Sequence, residues 1–169
     1  MRWVANILLV CLVSLIVACQ PQRPPSPQLT QLQARQLQTR EFPNETVLAT
    51  MKAVAAALQD DGFTIGQVNP ELGLITAEKQ ISDEDTATKN SQLFWYGSPG
   101  LEYRAVREWD ATVSVQEIDE KIVIRASFIE KGINNKGGVI YSEPVTNAQF
   151  YQDFFAKIDK SVFLQKNKL

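Results

Sequence analysis

The sequence predicts an α+β domain: an antiparallel sheet with two amphipathic helices packed on one face, in the order β-α-β-β-loop-β-β-β-α. Three observations predict it. Residues 111–116 and 122–128 alternate apolar and polar about the turn Ile118-Asp119-Glu120, as the arms of a β-hairpin do. Val47, Met51, Val54, Ala55 and Leu58 recur at the helical period. So do Tyr151, Phe154, Phe155, Ile158 and Val162 near the C-terminus. Strands that sit between two helices and pair as hairpins bury one sheet face against both helices.

Leu37 to Phe42 reads as a short first strand. Asn44 is then placed to cap the first helix, with Glu45 suited to its positive end. Asp60-Asp61-Gly62 stops that helix, with Gly62 as its C-cap. Phe63 to Val68 alternates as a strand, Asn69-Pro70-Glu71 turns, and Leu72 to Glu78 returns. Ser82 to Glu108 reads as an irregular connection. The hairpin that follows directs Val113, Val115, Ile122, Ile124, Ala126 and Phe128 at the core. Gly132 to Gly138 reads as a loop, Val139 to Glu143 as the last strand, and Asn147 as the cap of the final helix.

The chain has 169 residues, which suits one domain. Hydrophobic residues make up 44%, enough for a packed core. A net charge of -2 argues against nucleic acid as a partner. Histidine is absent, which removes imidazole-based zinc sites and His-dependent nucleophiles. Cys11 and Cys19 are the two cysteines, so the body of the chain carries neither disulfide nor thiolate chemistry. Asp60-Asp61 and Asp83-Glu84-Asp85 lack the register of a calcium loop and read as solvated polar segments. No catalytic residue, metal ligand or cofactor site is expected.

Residues 1–18 pair Arg2 with an apolar run ending in Ala18, the pattern of a signal peptide. Its close, Ile16-Val17-Ala18-Cys19, resembles the bacterial lipoprotein signal. That resemblance implies cleavage before Cys19 and acylation of Cys19; the alternative is an uncleaved membrane anchor. With Gln20 next, it implies the outer membrane, with the inner membrane as the lesser reading. Residues 19–37 form the lipidated cysteine and a Gln/Pro-rich tether, and 38–165 the single domain. Stretched out, the tether reaches about 60–70 Å. Leu29, Leu32 and Leu37 hint at a weak helix in it, and linker is the preferred reading.

Gln38 to Phe42, Leu58 to Ile65, Leu72 to Lys79 and Phe150 to Phe155 together resemble a group of small Gram-negative lipoproteins of unassigned activity. In pattern, the domain is also similar to the helix-grip domains of the outer-membrane assembly lipoprotein BamC. The resemblance implies a non-catalytic binding or accessory role in the cell envelope, with a protein partner there.

Leu93-Phe94-Trp95-Tyr96 is the candidate partner contact. Four consecutive large residues fit neither a half-exposed strand nor an amphipathic helix, and Gly97-Ser98-Pro99-Gly100 follows. The run either folds back over the sheet, meets a protein on a loop tip, or touches lipid. Arg104, Arg107, Lys121 and Arg125 either form a positive patch or pair with Glu108, Glu117 and Glu120, the preferred reading. A rival role is that of a carrier holding a lipid or small apolar ligand between helix and sheet. It requires an open core; Phe150, Phe154 and Phe155 would fill that of a scaffold.

Overall fold

A computed structural model describes residues 30–167, except 44, 83, 85–89, 91–93 and 95–101. Its elements run α1 (Gln31–Gln38), β1 (Thr39–Pro43), α2 (Val47–Asp60), β2 (Thr64–Asn69), β3 (Leu74–Ser82), β4 (Arg104–Ile118), β5 (Lys121–Asn134), β6 (Val139–Pro144) and α3 (Ala148–Lys166). The fold is α+β, with one six-stranded sheet and three labelled helices.

The third helix corrects the tether reading. α1 starts inside the Gln-rich segment because Thr30 and Gln33 form a reciprocal capping box: the Thr30 hydroxyl accepts from the Gln33 amide, and the Gln33 side chain accepts from the Thr30 amide at 3.0 Å. Leu37 is partly buried against the core, and the Gln38 amide donates to the Tyr151 hydroxyl at 3.4 Å. The first strand accordingly begins at Thr39, not at Leu37.

α2 opens on Thr46, whose hydroxyl accepts from the Ala49 amide at 3.3 Å; Asn44 lies outside the described residues. Its end is a Schellman motif. The Gly62 amide donates to Gln59 and the Phe63 amide to Leu58, with Gly62 at φ +80°. Asp61 is therefore the C-cap and Gly62 follows it. Leu58 and Phe63 meet in the core, as this motif requires. At α3, the Asn147 side chain accepts from Gln149 at 2.9 Å and from Phe150 at 3.3 Å, so that cap stands where the sequence put it.

Every strand pairing is antiparallel, and the order across the sheet is β1-β5-β4-β3-β2. β6 shares the β1 flank. β5 is long enough that β1 pairs with its first half, Lys121 to Arg125, and β6 with its second, Ile129 to Ile133. β4 and β5 form one hairpin from Ile118↔Lys121 to Arg104↔Asn134. Both strands run further than the alternation suggested. Residues 104–108, read as irregular, belong to β4, and Gly132 to Asn134, read as loop, belong to β5. The apolar alternation fades there because charge pairs replace it on both faces of the sheet.

One face carries Ile75, Ala77, Ala111, Val113, Val115, Ile122, Ile124, Ala126 and Phe128, all buried, against α2 and α3. The helices contribute Met51, Val54, Leu58, Tyr151, Phe154, Phe155 and Ile158. Both amphipathic helices expected on one face are therefore there.

The hairpin turn is strained. Asp119 and Glu120 have φ of 50° and 62°, the left-handed region that a two-residue type I′ turn demands and L-residues with a Cβ resist. Replacing Glu120 with Gly is expected to stabilise the domain by about 1 kcal/mol, a rise of about 2–5 °C in melting temperature. An unchanged or lower midpoint would show that the turn holds no strain.

Candidate functional site

β3 ends at Ser82 and β4 begins at Arg104, so the long connection holding the aromatic run leaves from one end of the sheet. Leu93, Trp95 and Tyr96 lie outside the described residues, as does Cys19. Phe94 is described. It is helical, as is Asn90 four residues before it, and 81% exposed. Of the three readings of the run, the exposure of Phe94 speaks against fold-back over the sheet at that residue, and its helical backbone was not expected. Exclusion of a helix assumed that its apolar side must be buried, and the exposed Phe94 ring does not obey that assumption. The returning end of the connection is tied to the β5–β6 turn. The Asn135 amide donates to the Tyr103 carbonyl at 3.0 Å, and Lys136 pairs with Glu102 at 3.3 Å.

Beneath this end, the helix-side face of the sheet changes from apolar to polar. Phe150, in the first turn of α3, packs on Trp109 with centroids 5.3 Å apart. Residues two apart on a strand share a face, so Arg107 lies beyond Trp109 on the same side. Glu130 stands opposite Trp109, and Tyr141 opposite Gly132. The three side chains meet: the Tyr141 hydroxyl donates to Glu130 at 2.9 Å, and Arg107 approaches the same carboxylate at 3.4 Å. The Tyr141 ring covers Gly132, where any Cβ would collide with it, a cross-strand aromatic–glycine pairing. Burial, then the Glu130 carboxylate, raises the Tyr141 phenol above its ordinary value.

On the opposite face, Lys131 binds both Glu108, at 3.2 Å, and Asp110, and Gln80 donates to Glu108 at 2.9 Å. The hydrogen bond to Asp110, then that to Glu108, raises the Lys131 pKa. Arg107 and Lys121, two of the four candidate patch cations, are ion-paired, but with other partners than expected. Arg107 takes Glu130, Lys121 takes Glu41 at 3.0 Å, and Glu108 takes Lys131. Cross-strand register decides this: Glu108 stands directly opposite Lys131.

Between the end of α2, the first half of α3 and strands β3 and β4 lies a surface groove of about 210 Å³. Its floor is Phe63, Ile81, Trp109, Phe150 and Phe154. Lys157 pairs with Asp61 at its rim, and Lys79 donates to the Asp61 carbonyl with its ammonium 5.7 Å from the Phe63 ring centroid. The Trp109 indole N–H is buried without a hydrogen-bond partner among the described residues. The groove escaped the sequence reading although the parity of Trp109, Ala111, Val113 and Val115 is continuous. Extending β4 backwards by that parity would have placed Trp109 over the core edge.

Below the groove the space between helices and sheet is filled. The Phe128 ring meets Phe150, Phe154 and Tyr151 edge-on, with centroids at 4.8, 5.0 and 5.8 Å. The Tyr151 hydroxyl donates to the Val145 carbonyl at 3.1 Å, and burial pushes its phenol up. A raised phenol favours the folded state below its ordinary value of 10 and loses that contribution as pH climbs toward the folded value. Tyr151→Phe is therefore expected to lower stability by about 1 kcal/mol at neutral pH and to flatten the loss above pH 10. Tyr141 and Lys131, which are raised too, add to the alkaline loss that survives. Denaturant midpoints measured from pH 7 to 11 check this; an unchanged alkaline slope would contradict it.

Among the described residues no group of three or more acidic or thiol side chains is placed to hold a metal ion. No helix among them is long and apolar enough to cross a membrane. The chain matches no family model and no curated protein.

Proposed function

We propose that the chain is a lipid-anchored binding module of the outer membrane, facing the periplasm and acting on a protein partner of the envelope without catalysis. Its anchor is Cys19, at the close of the lipoprotein-like segment Ile16-Val17-Ala18-Cys19. The helix-grip likeness belongs to the same proposal and draws support from the two long helices on one face of an antiparallel sheet. The observation that carries the binding role is Phe94, a large aromatic side chain 81% exposed at one end of a domain whose core is otherwise filled. Exposed aromatic rings bury large area at small rotamer cost when a partner covers them. The packing of Phe128, Phe150, Tyr151 and Phe154 occupies the space that a carrier would keep open, so no observation favours the carrier reading.

Phe94→Ser tests the binding role. Melting temperature is expected to move by less than about 2 °C, because exposed positions contribute little to stability. Chemical crosslinking of the chain to its envelope partner is expected to disappear. A fall of several degrees with crosslinks intact would make Phe94 a structural residue and remove the proposed contact.

A further inference from the structure

The two long helices carry matching exposed residues on their outer side. Leu48 of α2 is 57% exposed and Phe163 of α3 is 61% exposed. Each is the chain neighbour of a residue in the shallow groove where Glu45 and Ala49 face Val162, Gln165 and Lys166, so the start of α2 and the end of α3 lie side by side. One turn further along each helix stands an exposed lysine, Lys52 on α2 and Lys160 on α3. Lys166 pairs with Glu45, and Asp159 with Arg40 at 3.6 Å. The acids of the two helices without an ion pair among the described residues, Asp60 and Asp153, stand about two turns beyond Lys52 and Lys160, away from Leu48 and Phe163. Lys52 and Lys160 have no ion-pair partner among the described residues. The surface is therefore apolar at its tip and net positive around it.

We infer that this face docks on an anionic phospholipid bilayer, with Leu48 and Phe163 entering the headgroup boundary and Lys52 and Lys160 reaching its phosphates. An apolar tip with lysines whose stems can extend to the interface is the pattern of an interfacial surface. Charge complementarity sets the occupant: each lysine near an anionic leaflet adds to attraction. Chain length sets the opportunity. The inference rests on the Cys19 anchor, and α1 takes residues 31–37 out of the tether. Only residues 20–29 separate Cys19 from the Thr30 cap, a span of at most about 40 Å, so the domain is held beside the leaflet.

The test uses the acylated protein, its acyl chains confirmed by intact mass, in vesicles of phosphatidylethanolamine with phosphatidylglycerol. With Cys19 acylated, a Phe163→Cys variant carries one free thiol in the mature chain for a spin label. The label is expected to collide with oxygen in preference to an aqueous nickel chelate. A label at Gln116→Cys, exposed on the helix-free face of the sheet, is expected to collide with the chelate. Lys52→Glu with Lys160→Glu is expected to weaken docking by about tenfold or more and return the first label to water. Leu48→Cys gives the same readout should the Phe163 variant misfold. A label in water on an acylated chain would overturn the docking face and leave the anchor standing; a chain without acyl mass would overturn both. Protection in native membranes but not in vesicles would assign the face to a protein and also overturn the inference.

Discussion

Gly73→Ala is expected to destabilise the domain by about 3 kcal/mol or more, a fall of about 10 °C or more in melting temperature. Two costs combine at this position. Its φ of +62° lies in the left-handed region, which charges a side chain about 1–2 kcal/mol. A Cβ there would also fall inside the van der Waals envelope of the Val115 carbonyl oxygen. That oxygen belongs to the central hairpin and cannot swing aside as a flexible side chain would. The same close approach lets the Val115 amide donate to the Gly73 carbonyl at 2.7 Å, so a displaced strand loses a hydrogen bond as well. Gly66→Ala is the control. A Cβ at Gly66 meets Thr76 at an ordinary 3.5 Å with no left-handed φ, and its expected cost is below about 1 kcal/mol. Thermal melts of the two variants decide the matter: equal effects would contradict the account of the β2–β3 turn.

Phe128→Ala is expected to cost about 3–5 kcal/mol. Phe128 is fully buried, and its ring contacts those of Phe150, Tyr151 and Phe154 on α3 and that of Phe63, just past the end of α2, joining α3 and that turn to the sheet. Removing it opens a cavity walled by three rings of one helix and by Phe63, which cannot all move in together to close it. The spread of the cost follows how far the walls relax. Urea unfolding measures it; a loss under about 1 kcal/mol would mean that the aromatic cluster is loosely packed.

The core was legible because burial imposes a period. Val113, Val115, Ile122, Ile124, Ala126 and Phe128 alternate in the sequence and are all buried, and the stripe Met51, Val54, Leu58 faces them. The outer halves of β4 and β5 were not legible, because Glu108, Asp110, Glu130 and Lys131 stabilise the pairing by charge and carry no apolar alternation. α1 was missed for a related reason. Its stability comes from the Thr30–Gln33 cap and from docking through Leu37 and Gln38, not from a continuous apolar stripe. The groove at Trp109 draws residues from α3, from the turn that follows α2 and from two strands, a convergence that the register of β3 on β4 helps create. In the candidate contact, the run of four large residues, three of them aromatic, was visible at once, whereas the helical state of Phe94 was not, since an exposed aromatic breaks the pattern by which helices are read.

The proposed role of Cys19 is to fix this domain to a membrane. Intact-mass spectrometry of the protein extracted from membranes tests it most directly. The account predicts a chain that begins at Cys19 and carries the added mass of acyl groups on that residue. A chain that begins at Met1, or that begins at Cys19 with no added acyl mass, would contradict it.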